Sequence, residues 1–230
     1  MIQYIGDLNI AALILLGVCL AYLTSWVCDV MDGLIKEDEL LIPYIIRFYF
    51  GKKTAQRTPW WGMMFFSVIM TLLFYRLSEN TLATFVFAII CVPASILDLR
   101  HHIIPEELTW SLLFAGVFLS PWYINVESSM IGAATACAIV WFALAFVGFR
   151  TGLDTRSGGD VAAASAAGAW VGFENISGYL LSVSTIFIIA CIFARRKKVY
   201  WLPMGPALFI SIPLAKDITK LLNDFMIKVL

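Results

Sequence analysis

Two aspartates offer the clearest chemistry in this sequence. Asp98 closes an apolar run, Ile90-Cys-Val-Pro-Ala-Ser-Ile-Leu-Asp98, and Asp160 opens another directly after Ser157-Gly158-Gly159. A carboxylate beside a bilayer is costly, so it needs a partner or a task. Two carboxylates a few ångströms apart cannot both ionise cheaply, and they share a proton. One then acts as general base on a water while its protonated neighbour polarises an amide carbonyl. The reaction such a pair performs is peptide hydrolysis, with neither a metal nor a covalent nucleophile. Gly158 and Gly159 would let the backbone bend and bring a substrate strand close. At a helix N-terminus, Asp160 would also be favoured by the helix dipole. The same Gly-Gly-Asp equally reads as a plain loop ending in an N-cap, so this tripeptide alone leaves both roles open.

Other reactive side chains point elsewhere. Cys19, Cys28, Cys91, Cys137 and Cys191 all fall in or at the ends of apolar runs, and none forms a C-x-x-C pair. Scattered in this way they read as small core residues rather than metal ligands. His101 and His102 are adjacent, so on a helix they point in different directions and make a poor metal pair. No metal and no cofactor is expected.

The elements that must position the two acids are membrane helices. Of 230 residues, 61% are hydrophobic and only 14% charged, with a mean hydropathy of +0.86; an ordinary soluble domain carries about 25% charge. That excludes a cytosolic enzyme, a disordered chain and a secreted disulfide scaffold. Sixteen basic residues balance sixteen acidic ones, so no basic field exists to attract nucleic acid. The fold expected is an all-α polytopic membrane protein of about eight transmembrane helices. They run near 8–28, 60–76, 80–97, 108–124, 128–149, 161–174, 176–194 and 201–222. The sixth is short and built of small residues, which suits a half-helix buried in the bundle.

With eight spans and the N-terminus outside, twelve of the sixteen Lys and Arg residues lie on the inner side. The positive-inside rule selects that orientation, and it puts Asp98 and Asp160 on the same, inner face. No Lys or Arg precedes the first apolar run, so that run is expected to remain as a span rather than be removed. The first inner loop, about 29–59, is charged at Lys36-Glu-Asp-Glu39 and amphipathic over Leu40–Phe50. It fits a segment lying on the inner membrane surface or an ordinary packed loop helix. The chain shows no repeat and reads as one integral membrane domain, 1–230, with the chemistry in 80–215.

Three segments in order resemble type IV prepilin peptidases. Asp98-Leu-Arg-His-His-Ile-Ile-Pro105-Glu-Glu-Leu108-Thr109 resembles that family's first active-site motif, an Asp followed seven residues later by Pro, then an acidic residue and Leu-Thr. Asp160-Val-Ala-Ala-Ala-Ser-Ala-Ala-Gly168-Ala-Trp170-Val-Gly172 resembles the second, which runs from Gly-x-Gly-Asp into a small-residue helix. Leu202-Pro203-Met-Gly205-Pro206-Ala-Leu208 resembles the family's Pro-x-Gly-Pro signature. Two positions depart from the pattern: Ser157 stands where the first glycine belongs, and Ala162 where Lys is common.

The resemblance implies an intramembrane aspartyl protease whose catalytic pair is Asp98 and Asp160. Its expected substrate is a type IV prepilin or a pilin-like protein, relieved of a short basic leader at the cytoplasmic face of the bacterial inner membrane. Gly158, Gly159 and Pro105 would shape the loops, and Pro203, Gly205 and Pro206 would interrupt the last helix near the site. Glu37, Asp38, Glu39, Glu106 and Glu107 would either attract the leader or form a solvated face. Bifunctional relatives also carry two C-x-x-C pairs in the first inner loop and N-methylate the product. Residues 29–59 contain no cysteine, which argues against methyl transfer. The second reading is a small proton-coupled transporter using the same carboxylates as relays.

Overall fold

In the computed structural model, residues 2–37, 60–78, 80–152, 158–196 and 202–229 are described. The amphipathic stretch 40–50 and Ser157 lie outside them. Among the described residues there are eight α-helices and no strand: α1 (Ile2–Glu37), α2 (Trp60–Ser78), α3 (Thr81–His101), α4 (Glu106–Leu119), α5 (Val126–Thr151), α6 (Gly158–Val171), α7 (Ile176–Arg196) and α8 (Gly205–Val229). They follow the eight expected apolar runs one for one. Among the described residues, four stretches are long and apolar enough to cross a membrane: Ile10–Val30, Thr81–His101, Val126–Thr151 and Phe173–Arg195. α4 and α6 have 14 residues each, about 21 Å at 1.5 Å per residue, and fall short of a ~30 Å hydrocarbon core. Among the described residues eight helices are therefore present, while eight crossings are not required by their lengths.

One boundary differs from the sequence reading. The first inner loop was expected from about 29, but α1 continues as helix to Glu37. Hydropathy falls at Asp29 because its side chain is charged, which does not by itself end a helix. The backbone has no reason to stop until a breaker or cap arrives.

Side chains facing outward are large and apolar. Phe142, Phe146 and Phe149 repeat along one face of α5, and Phe149 is 87% exposed. A water-facing helix does not carry such a stripe, whereas a lipid-facing one does. The inward faces form two groups. α1, α2 and α3 pack together; α6 packs against both α4 and α5; α8 pairs with α7 and reaches α2, α3 and α6. At the centre, Phe74 stacks on Phe87 with centroids 3.9 Å apart, and Trp170 meets both rings edge-on. Tyr123 closes the cluster by stacking on Trp170 at 5.7 Å. Its hydroxyl donates to the Gly116 carbonyl at 3.3 Å. Each aromatic pair contributes about 0.5–1.5 kcal/mol beyond the area it buries.

α6 is held by backbone proximity rather than by bulk. Ala163, Ala164, Ala166, Ala167 and Ala169 are fully buried. Ser129 Oγ donates to the Ala169 carbonyl at 2.8 Å, and Ser165 Oγ donates to the Ala133 carbonyl at 3.3 Å. Small residues permit this approach, and in lipid it is close packing that drives helices together. A Cβ added at Gly132 would lie 2.5 Å from the Gly168 carbonyl oxygen. Gly132→Val is thus expected to force α5 from α6 and destabilise the fold by about 1–3 kcal/mol or more. Thermal unfolding in detergent micelles checks this, with Gly62→Ala as the control, because a Cβ there meets nothing within 4 Å. Equal melting temperatures for the two variants would refute the close-approach account.

Candidate functional site

α3 brings Asp98 to the C-terminal end of a buried face. Cys91, Val92 and Leu97 are fully buried, and Asp98 itself is only 4% exposed. The helix stops four residues later at His102, which takes a left-handed conformation (φ 55°) and donates its N–H to the Asp98 carbonyl at 2.9 Å. Histidine tolerates that region better than branched residues do. Pro105 then starts α4: as its N-cap it has φ −60°, and its carbonyl accepts from the Leu108 and Thr109 N–H groups. Glu106 and Glu107 fill the first turn, where the helix dipole favours acids. Pro105 therefore stands at the junction between the turn after Asp98 and the start of α4.

Asp160 sits in the first turn of α6 and is half-buried. Gly158 and Gly159 were expected in a loop, yet both are helical and form the first two residues of α6. A Cβ at Gly158 would meet nothing within 4 Å, so no neighbour requires glycine there. Asp160 shares its helix stripe with the buried Ala163, Ala164, Ala167 and Val171, at spacings of 3, 4, 7 and 11 residues.

The two acids lie at the same end of the bundle. α4 leaves α3 through the short 102–105 turn, so its start is beside Asp98. α4 and α6 run parallel: Thr109 and Trp110 face Gly158 and Val161 across one pocket, while Trp170 Nε1 donates to the Leu112 carbonyl at 2.8 Å farther along. The start of α6 is therefore level with the end of α3. An independent ruler agrees. Phe87 of α3 and Trp170 of α6 touch at 5.5 Å between centroids. Asp98 is eleven residues beyond the first and Asp160 ten before the second, about 16 and 15 Å along antiparallel axes.

α8 supplies the third component. Its first residue, Gly205, donates its backbone N–H to Asp98 Oδ2 at 2.6 Å. The first N–H groups of a helix have no partner within it, and here one is satisfied by a carboxylate 107 residues away in sequence. Burying a carboxylate without a donor would be expensive, and the positive end of α8 complements it further. Glycine is needed for space, because a Cβ at 205 would lie 2.7 Å from Asp98 Oδ2. The expected interruption of the last helix by Pro203, Gly205 and Pro206 takes a different form. Pro203 precedes α8, and Gly205 and Pro206 are its first two residues. Proline fits a first turn because no intrahelical donor is lost there. Among the described residues, Pro93 in α3 and Pro213 in α8 lie in helix interiors.

An apolar pocket of about 360 Å³ opens on the face of α6 turned away from the stripe that carries Asp160. Thr109, Trp110 and Leu113 of α4, Cys137 and Trp141 of α5, and the small face of α6 line it. Sequence reasoning missed it, since no local pattern joins three separate helices. Among the described residues, no three His, Cys, Asp or Glu side chains gather closely enough to hold a metal ion. The ends of three helices thus enclose one hydrogen-bonded, buried carboxylate with a second at the same level. Such an arrangement can hold and exchange a proton beside an amide bond.

Residues 85–194 match the type IV leader peptidase family, a stretch that contains Asp98 and Asp160. The chain is also similar to proteins named prepilin leader peptidase/N-methyltransferase. That of Neisseria gonorrhoeae is 25% identical over 139 residues, 60% of this chain and 49% of the relative. That of Xanthomonas campestris pv. campestris is 29% identical over 126 residues, 52% of this chain and 44% of the relative. That of Vibrio cholerae serotype O1 is 31% identical over 121 residues, 50% of this chain and 47% of the relative. The chain spans about half the length of the curated relatives it matches. No solved structure gives a significant match.

Proposed function

We propose that this chain, whose residues 85–194 match the type IV leader peptidase family, is an aspartic endopeptidase that removes the short basic leader of type IV prepilins or pilin-like proteins. Asp98 and Asp160 are its catalytic pair, and the core spans 80–215. The observation that carries this reading is the hydrogen-bonded burial of Asp98 at the same end of the bundle as Asp160. In the proposed cycle the two carboxylates share one proton. The ionised one takes a proton from water as the water attacks the scissile carbonyl; the protonated one donates a hydrogen bond to the carbonyl oxygen. The nitrogen leaving group then recovers a proton from the pair, which returns to its singly protonated state.

The charge bias of the loops supports a bacterial inner-membrane location with the N-terminus outside and the pair at the cytoplasmic face. A leader that is basic would be drawn to Glu106 and Glu107, which are exposed at the start of α4. The lack of cysteine in 29–59 supports a peptidase without methyl transfer. A proton-coupled transporter would place its carboxylates near mid-membrane, whereas Asp98 and Asp160 each lie within four residues of a helix end. Co-expression with candidate prepilins tests the proposal. Leader removal should appear as a mobility shift on a gel, and mass spectrometry of the new N-terminus should find it unmethylated. Intact leaders on every prepilin tried, with the protein in the membrane, would reject the reading.

A further inference from the structure

We propose that α4 carries a short lipid-facing belt that thins the bilayer beside Asp98 and Asp160, so that the membrane surface there lies level with the two carboxylates. The inference rests on the membrane fold and holds whether or not the chain cuts a prepilin. The outward face of α4 is a ladder of exposed rings, Trp110, Phe114 and Phe118, and exposed Trp122 ends it in the 3-10 turn Ser120–Trp122. Trp110 and Phe114 stack with centroids 6.0 Å apart. Tryptophan at both ends with phenylalanine between suits a lipid-facing helix, because indoles settle at the headgroup level and phenyl rings in hydrocarbon.

This belt is too short for an ordinary bilayer. From Trp110 to Trp122 the rise is about 20 Å, at 1.5 Å per α-helical and 2.0 Å per 3-10 residue, against a hydrocarbon core of ~30 Å. In the next helix, α5, residues 128–149 carry no charge and measure about 32 Å. α4 nevertheless runs toward the opposite end of the bundle. It begins beside Asp98, and Tyr123 just beyond its end meets the ring of Phe74, about one turn before α2 stops at Ser78.

Neither end of the belt can be stretched. Exposed Glu106 and Glu107 precede it on the side of the aspartates, and exposed Asn125, Glu127 and Glu174 follow the far ends of α4 and α6. A lysine or arginine could reach out of hydrocarbon on its long stem, but none occurs between Arg100 and Arg150. Carboxylates have short stems and stay where the backbone puts them. Tilting α4 would shorten the belt further, and the non-helical backbone at 123–125 needs water rather than lipid. The lipid has to yield. A bilayer drawn down to Glu106 and Glu107 brings headgroups and water to Asp98, and a polar segment of a substrate then reaches the pair without entering hydrocarbon.

The test uses the full chain in phosphatidylcholine nanodiscs and vesicles with short (about 14-carbon) or long (about 22-carbon) acyl chains. Electron cryomicroscopy of the nanodiscs should show the bilayer narrowed to about 20 Å beside α4 and near 30 Å beside α5. Prepilin cleavage in vesicles should fall by about tenfold from the short chains to the long ones, as the cost of the mismatch rises. Trp122→Lys, at a ring 57% exposed and on the side away from the aspartates, supplies the missing long stem and should flatten that dependence. Even bilayer density around the whole bundle, or a second copy of the chain seated on α4, would overturn the proposal. Cleavage at equal rates in short and long chains would overturn it too. A narrowed bilayer with no cleavage in any lipid would instead sink the peptidase reading and keep the thinned belt.

Discussion

Asp98→Asn and Asp160→Asn should each lower prepilin cleavage by about 10³-fold or more, while both proteins stay folded in the membrane. General acid–base groups contribute about 10²–10⁴-fold each, and residues acting as one unit lose nearly everything when either is removed. Asparagine keeps the shape and a hydrogen-bond acceptor for the Gly205 N–H, so the contact that anchors Asp98 survives while its proton chemistry does not. The double variant should therefore be little worse than either single one. The wild-type pH–rate profile should be bell-shaped. Activity falls on the acid side as the base becomes protonated, and on the alkaline side as the acid loses its proton. The two limbs belong to the coupled pair rather than to either residue. Time courses of leader loss with purified protein measure all of this. Cleavage near the wild-type rate by either variant would dismiss the dyad.

Which parts of this molecule could be read from sequence follows from how far each signal reaches. Apolar length is a local property, so the eight helices among the described residues are visible in it, including a short, small-residue α6 expected in the interior. Burial of Ala163, Ala164, Ala166 and Ala167 matches that expectation, because residues without bulk have value only where backbones meet. The end of α1 was misjudged by hydropathy, which reports the solvent around a helix and not its continuation past Asp29. Pro203-Met-Gly205-Pro206 reads as a kink in sequence because proline breaks helices. The same proline ahead of an apolar run also marks a helix start, and that local cue was available. What no periodicity contains is the contact of Gly205 with Asp98, 107 residues apart, or a pocket assembled from α4, α5 and α6. Both arise only when helix ends converge, and the chemistry of the site depends on that convergence.

Gly205→Ala tests that convergence most sharply, and it should reduce kcat by about 10²-fold with little change in KM. The reason is steric before it is electrostatic. A Cβ at this position would lie 2.7 Å from Asp98 Oδ2 and 3.0 Å from Asp98 Cβ, closer than atoms of these kinds tolerate. α8 cannot simply retreat, because Leu208, Phe209 and Ile212 in its next turns are fully buried. The carboxylate must yield, and it then leaves the N–H that holds it at 2.6 Å. A hydrogen bond to a charged group contributes about 1.5–3 kcal/mol, and a shift of about 1 Å in a reacting group costs about 10²-fold. Gly205 has no positive φ among the described glycines, so backbone strain does not explain the need for glycine. Melting in detergent separates a local effect from general unfolding, with Gly62→Ala as the reference. A double variant separates the routes: if Gly205 acts only through Asp98, Gly205→Ala should add almost nothing to Asp98→Asn. A Gly205→Ala protein that melts normally and cuts at the wild-type rate would show that the α8 terminus does not position the carboxylate.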